Sequence, residues 1–311
     1  MRAFITGING FVGKHLVELL LSSEHEVIGI DRTIVKSETN VRQYAVNIND
    51  ETKLCDLIGS YKPQQIYHLA APSFIPDSYE SPMETFRCII DGTLNLMEAV
   101  RKKSPKSKLL LIGSSDEYGQ YKGEVFQEDM LPAPCTPYAS AKTASSVIGA
   151  QYAQFYGLDI VRTRSFNHIG PGQSPRFVCA RIAKQLAELE KFGGAQITLG
   201  NINVSRDFLD VRDVVRAYYA LMNVSGNSGE LYNVCSGQIV SVEDILNIFL
   251  DMTDLRCRPG FEIINENQIR LYDNKTVCGS NAKLKEHTGW SKEISFDRTV
   301  ADTLHYWRAQ V

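Results

Sequence analysis

The chain has 311 residues, of which 43% are hydrophobic and 22% charged, the composition of a globular protein built as one large or two coupled domains. Lys plus Arg (33) against Asp plus Glu (36) leave a formal charge of −3, which provides no basic footprint, so neither nucleic acid nor a membrane is expected as a partner. Its 7 cysteines stand far apart with no Cys-x-x-Cys, so neither a disulfide framework nor a metal site is expected. The start lacks the apolar core of a signal peptide and no apolar run approaches a membrane span, which together point to the cytoplasm.

In chain order, short Val- and Ile-rich runs predict strands at 3–6, 27–31, 65–69, 109–113 and 160–164. Between them, apolar residues at three- and four-residue spacing predict helices over 11–21, 79–101 and 138–156. This alternation is that of an α/β, doubly wound parallel sheet covered on both faces. Beyond residue 165 the rhythm loosens: a Gly-Pro-Gly loop at 170–172, a helix over 177–190 and a strand over 196–199 follow. Residues 207–222 and 231–234 read as a return to the sheet, and 242–252, 282–287 and 299–307 as helices. The expected division is a sheet domain of 1–165 plus about 207–235 and a smaller, discontinuous α/β lobe of about 166–206 and 236–311.

Thr6-Gly7-Ile8-Asn9-Gly10-Phe11-Val12-Gly13 places three glycines between a buried strand and an amphipathic helix. Glycines there allow a tight turn and close approach of backbone to a pyrophosphate, while the helix N-terminus offers unpaired N–H groups to the anion. Asp31 closes the second strand, where a carboxylate accepts bonds from an adenosine ribose. The reading is a Rossmann-type dinucleotide site formed by Gly7, Asn9, Gly10, Phe11, Val12, Gly13, Asp31 and Arg32. Asp31 favours NAD(H); Arg32 beside it leaves NADP(H) open.

Tyr138 and Lys142 lie one helical turn apart behind Pro137, so an ammonium can stand near a phenol and stabilise its anion. Tyr118 and Lys122 share that spacing, but Gly119 and Gly123 make a poor helix there. The strand over 109–113 ends in Ser114 and Ser115, at the sheet edge where ligands of open α/β folds bind, so either hydroxyl is a candidate to bond a reacting oxygen. Asp116 and Glu117 continue that turn and could move protons.

Gly7-x-x-Gly10-x-x-Gly13, His68-Leu69-Ala70-Ala71, Ser114-Ser115-Asp116-Glu117-Tyr118-Gly119 and Pro137-Tyr138-x-x-x-Lys142 resemble the extended short-chain dehydrogenase/reductases that modify nucleotide sugars. More narrowly, 164–173, 206–213, 232–237 and 279–281 are similar to the GDP-4-keto-6-deoxy-D-mannose reductases, which make GDP-D-rhamnose, and share features with the GDP-mannose 4,6-dehydratases. The resemblance implies Tyr138 as proton donor, Lys142 on the nicotinamide ribose, and Ser114 or Ser115 on the sugar O4. Asn47 and Ile48 would flank adenine, and Leu69, Ala70 and Ala71 would line the cofactor channel. Ser73 and Glu117 would face the hexose, Asn167 and Lys184 would lie along the nucleotide sugar, and Asn201, Arg206, Arg270 and Asp273 would hold the nucleoside diphosphate. It further implies a homodimer joined through the helices over 79–101 and 138–156.

Three positions depart from that pattern. The usual Arg-Pro-x-Glu is Arg270-Leu271-Tyr272-Asp273, an Asn common in the central helix is Ile89, and the reductases compared lack an acid at position 31. The expected activity is NAD(P)H-dependent reduction of the C4 ketone of a nucleotide-linked 4-keto-6-deoxy-hexose, GDP-linked by preference. A 4,6-dehydratase or 4-epimerase is the alternative. A dinucleotide-sensing protein without chemistry is the rival of another class, and intact Tyr138 and Lys142 speak against it.

Overall fold

The computed structural model describes residues 1–35, 41–120, 125–265 and 276–311. Its first part runs β1 (Arg2–Thr6), α1 (Phe11–Ser22), β2 (Glu26–Asp31), β3 (Arg42–Ala45), α2 (Glu51–Tyr61), β4 (Gln65–His68), α3 (Ile75–Glu80), α4 (Pro82–Phe86), a π-helical turn (Arg87–Asp91), α5 (Gly92–Lys103), β5 (Lys108–Ser114), a 3-10 turn (Ser115–Tyr118), α6 (Pro137–Tyr156) and β6 (Asp159–Ser165). The remainder runs β7 (Asn167–Ile169), α7 (Val178–Phe192), β8 (Gln196–Leu199), β9 (Ser205–Asp210), α8 (Val211–Asn223), β10 (Leu231–Val234), β11 (Ile239–Ser241), α9 (Val242–Asp251), β12 (Glu262–Asn265), α10 (Ala282–Thr288) and α11 (Phe296–Gln310).

Seven strands form one parallel sheet in the order β10-β6-β5-β4-β1-β2-β3. The chain starts in the middle, winds outward to β3, then returns to β4 and winds the other way. That is the doubly wound topology, and its reversal between β1 and β4 leaves a crevice at the strand C-termini. Because the sheet is covered on both faces, its inner strands are apolar on both: Ala3, Phe4 and Ile5 are all fully buried. On one face Leu16 and Leu20 of α1 pack with Val214, Tyr218 and Leu221 of α8. On the other, Leu54 and Ile58 of α2 pack with Leu96, Met97 and Val100 of α5. A separate core joins Ile182 and Leu186 of α7 with Phe249 of α9 and Val300 and Leu304 of α11.

Two expectations need correction. The helix expected over 79–101 is broken, because Pro82 removes an N–H and disfavours helical geometry at Ser81, and the π-helical turn then shifts the register before α5. Residues 207–222 do not return to the large sheet as one unit. Residues 207–210 finish β9 in a three-stranded sheet ordered β11-β9-β7, and α8 covers the large sheet instead. β3 and α2 were not expected; β3 is an edge strand with β2 as its neighbour and polar residues along it.

Candidate active site

The glycine turn follows β1 directly. Gly7 has φ +75, and a Cβ there would stand 2.9 Å from the Ala70 nitrogen; a Cβ on Gly13 would stand 2.5 Å from the Ile8 carbonyl oxygen and 2.6 Å from that of Gly7. Backbone thus meets backbone with no room for a side chain, and α1 begins at Phe11 with Gly10 as its N-cap. Asp31 braces the turn: one carboxylate oxygen accepts the Asn9 N–H (3.0 Å) and the other the Arg32 N–H (2.7 Å), while the Asn9 amide donates to Thr33 O (2.7 Å). Phe11 and Val12 are half-buried at the helix start. His15, edge-on to Phe11, reaches Pro171 O at 2.9 Å, so the 170–172 loop closes against α1.

Leu69, Ala70 and Ala71 carry the chain from β4 across the mouth of the crevice. The Ala70 N–H donates to the Thr6 hydroxyl beside the glycine turn, and Ala71 packs in the cluster of Ile89, Tyr138 and Ala141. Three residues therefore span from the phosphate-type turn to the phenol. Ile48 is buried under Gly92, where a Cβ would come within 2.8 Å of it, and Asn47 beside it is exposed, its side-chain oxygen holding the Asn49 N–H at 3.0 Å.

Tyr138 is placed by a local device. Thr136 caps α6, its hydroxyl accepting the Ala139 N–H at 3.0 Å, and Pro137 supplies a fixed φ at the first helical position. Tyr138 and Lys142 then face inward together, 9% and 7% exposed. The Lys142 ammonium donates to Ile112 O at 2.8 Å, near the end of β5. Burial lowers its pKa to about 8, with Glu117 opposing the fall. Burial also raises that of Tyr138, helped by the Asp116 charge and eased by a hydrogen bond with Ser114. The phenol therefore waits protonated.

The structure separates the two serines and the two acids. Ser114, not Ser115, meets the phenol; it also donates to an Asp116 carboxylate oxygen at 2.9 Å and caps the 3-10 turn. Ser115 is buried as the first residue of that turn. Glu117, expected to face the hexose, is turned into the core. It is fully buried, one oxygen accepting the Ser114 N–H at 2.8 Å and the other pairing with Arg164, which lies 4.2 Å from the centre of the Tyr118 ring. It shapes the serine turn from inside, and the exposed Asp116 takes the place at the cleft. The turn explains the swap, because adjacent residues of a tight helix point in different directions. Tyr118 is fully buried and stacked on Phe126, which removes the second Tyr-x-x-x-Lys as a rival; Lys122 lies outside the described residues.

The expected sugar-side residues are scattered. Ser73 is exposed just before α3, Asn167 is exposed on β7, and Asn201 is exposed before β9, its side chain accepting the Asn203 N–H at 2.9 Å. Arg206 on β9 donates to Ser205 O. Lys184 pairs with Glu188 on its own helix and lies 5.8 Å from the Trp307 ring of α11. Arg270 and Asp273 lie outside the described residues. Two features were missed by the sequence reading. Arg176 forms an ion pair with Asp77 of α3 and covers the Phe74 ring at 3.9 Å, while Phe74 meets Phe177 edge-on. His168, next to Asn167, has a buried Nδ1 with no hydrogen-bond partner among the described residues. Its imidazole is held neutral by burial, with a pKa of about 4. Only the Asn167-His168-Ile169-Gly170 motif could have flagged it.

The model of the GDP-mannose 4,6-dehydratase family matches residues 4–303. The chain belongs to that family. It is 32% identical to GDP-6-deoxy-D-mannose reductase of Pseudomonas aeruginosa, over 100% of this chain and 98% of the relative. The solved structure of the enzyme RMD from Pseudomonas aeruginosa with NADPH superposes with a TM-score of 0.85 at 32% identity, covering 100% of this chain and 99% of that one. The UDP-glucose 4-epimerase of Thermus thermophilus with NAD superposes at 0.87 with 27% identity, covering 100% of each. Within the extended short-chain dehydrogenase/reductases this places the chain among the NAD(P)-dependent nucleotide-sugar enzymes. The side-chain-free cradle at Gly7 and Gly13 fits the pyrophosphate of a nicotinamide dinucleotide.

Proposed function

We propose that the protein reduces the C4 ketone of GDP-4-keto-6-deoxy-D-mannose. The observation that carries this reading is the joint burial of Tyr138 and Lys142 beside Ser114, three residues of chain away from a dinucleotide-type glycine turn. A bound reduced nicotinamide would supply the hydride. The protein's part is to hold the ketone and deliver a proton. Ser114 bonds O4, releasing its proton from Asp116, and Tyr138 donates its phenolic proton as charge develops on that oxygen. Lys142, charged at neutral pH, stabilises the phenolate that remains. Asn47 and Ile48 would flank adenine, Leu69, Ala70 and Ala71 line the channel, and Ser73, Asn167, Asn201 and Arg206 face the nucleotide sugar.

The same reading assigns NAD(H) as the preferred cofactor, because the Asp31 carboxylate repels a 2′-phosphate, while Arg32 and the NADPH complex of the Pseudomonas enzyme support NADP(H) as the second choice. The decisive assay supplies GDP-4-keto-6-deoxy-D-mannose with NADH or NADPH and follows oxidation of the cofactor by its absorbance; no oxidation with either overturns the assignment. A 4,6-dehydratase is the second reading, supported by the Asp116 carboxylate on Ser114, an acid–base group at the cleft. It predicts product from GDP-mannose with no reduced cofactor added.

The reading includes a homodimer through the helical segment of 79–101 and α6. Met83, Val147, Phe155 and Tyr156 expose large apolar surface along α4 and α6, which a second copy would cover. Sedimentation giving a monomer at micromolar concentration would remove that part.

A further inference from the structure

A chain of buried polar groups runs beneath the site without touching any place assigned to substrate. Thr6, the last residue of β1, accepts the Ala70 N–H at 3.1 Å and bonds His68 Nδ1 at 2.8 Å. His68 Nε2 meets the Thr93 hydroxyl at 3.1 Å, and that hydroxyl meets Ser145 Oγ at 2.9 Å and donates to Ile89 O at 2.6 Å. All four side chains are almost wholly buried: Thr6 0%, His68 4%, Thr93 1% and Ser145 3% exposed.

Proton counting gives the chain a direction. Thr93 has one proton and gives it to the Ile89 carbonyl, so its oxygen must accept from both His68 and Ser145. His68 is then the Nε2–H tautomer, and its Nδ1 accepts the Thr6 proton. Burial, with the Lys142 charge nearby, keeps the imidazole neutral, as this tautomer requires. Every donor in the chain is used, so a shift at one end must break a buried bond or move the other end.

The two ends are the two halves of the reaction. Thr6 precedes Gly7 and orders Ala70, which touches the glycine turn. Ser145 lies on α6 one turn beyond Lys142, and the Ile89 side chain packs against Tyr138 and Ala141. Ile89 lies inside the π-helical turn, at the position where the resemblance implies an asparagine. Here its backbone carbonyl, rather than a side-chain amide, is the anchor.

We propose that His68 is a positioning residue: the chain Thr6–His68–Thr93–Ser145 holds the Tyr138–Lys142 helix at a fixed separation from the dinucleotide turn. The proposal rests on the reductase reading of Tyr138. Placement errors of about 1 Å cost on the order of a hundredfold in rate, so loosening the chain slows hydride transfer while leaving each binding surface intact.

The test compares Ser145→Ala, Thr93→Val, Thr93→Ser and Thr6→Val with wild type, using single-turnover hydride transfer, dinucleotide Kd by nucleotide fluorescence, and Tm. Ser145→Ala and Thr93→Val are expected to slow hydride transfer by about tenfold or more, with the Ser145→Ala Kd within about twofold and its Tm within a few degrees. Thr93→Ser keeps the hydroxyl and restores the rate. Thr6→Val combined with Ser145→Ala is expected to be no slower than the worse single variant, since one chain is cut twice. Hydride transfer within about twofold of wild type in both Ser145→Ala and Thr93→Val, or independent multiplication of the two effects, overturns the proposal. Tyr138→Phe run in parallel separates the cases: activity retained there removes the reductase reading and the proposal with it, whereas activity lost there leaves the chain to be judged by its own variants.

Discussion

Around the glycine turn the cleft is shaped by backbone and by buried side chains at strand ends, Thr6, Gly7, Gly13, His68 and Ala70, whereas the residues expected on the sugar side, Ser73, Asn167 and Asn201, and Arg176 with them, carry exposed side chains. The first half is fixed by the sheet. Its contacts are set by strand register, Thr6 standing opposite His68 across β1 and β4, and there is no space for a side chain to choose another position. The second half is tied to the segment around α3 through Arg176, Asp77, Phe74 and Phe177, an exposed ion pair and aromatic contacts, of which the ion pair is weakened by water and salt. The difference teaches that the dinucleotide-type turn is built into the architecture, while the residues expected at the sugar stand on exposed surface outside the sheet core.

Substitutions should reproduce that division. Tyr138→Phe is expected to lower kcat by about 10²- to 10⁴-fold while dinucleotide Kd stays close to wild type, because the ring still packs on Ile89 and Ala71; steady-state rates and fluorescence titration check both. The two neighbouring acids divide in the same way. Glu117→Gln breaks a buried pair with Arg164 and should cost about 3–5 kcal/mol of stability in urea unfolding. Asp116→Asn should leave unfolding nearly unchanged and lower turnover. If Glu117→Gln were as stable as wild type, the claim that this acid is architectural would fail.

Asp31→Ser should move preference toward NADPH by about tenfold in the ratio of Kd values, equivalent to about 1.4 kcal/mol, by removing a charge that opposes a 2′-phosphate. An unchanged ratio would mean that Asp31 serves only to hold Asn9 and Arg32. Acid should act on the buried histidines. Burial lowers the folded-state pKa to about 3 for His68 and about 4 for His168, below an unfolded value of about 6.5. Their contribution is therefore intact above pH 6.5 and is lost as pH falls, because the unfolded chain takes up protons that the folded one refuses. Buried Glu117 and Asp207 carry raised pKa values and act in the opposite sense. The clean readout is the difference between wild type and His168→Asn, which should lose up to about 1.4 kcal/mol less per pH unit below 6.5. The smallest effect is expected from Arg176→Ala: a few-fold rise in KM for the sugar nucleotide and under about 1 kcal/mol in stability.

The sheet half was legible because its signals are local. Glycines at 7, 10 and 13 between an apolar strand and an amphipathic helix mark a turn that must be lined by bare backbone, and Pro137 marks the start of the Tyr138 helix. The choice between Ser114 and Ser115, and between Asp116 and Glu117, was not legible, since it depends on which way successive residues of one 3-10 turn face. The surroundings of Lys184, Glu188 one turn on along α7 and the Trp307 ring of α11, were not legible either, since resemblance supplies a position but not a rotamer. The Arg176–Asp77 contact joins segments far apart in sequence, and no periodicity marks either residue.

The most direct test of the central claim is to supply the reduced cofactor with deuterium at the transferring C4 position, together with GDP-4-keto-6-deoxy-D-mannose, and to locate the label by NMR of the product. The account predicts deuterium at C4 of the GDP-linked 6-deoxyhexose in wild type, accumulating at least about 10²-fold more slowly with Tyr138→Phe. Product carrying no label at C4, or labelling at an equal rate by Tyr138→Phe, would contradict it.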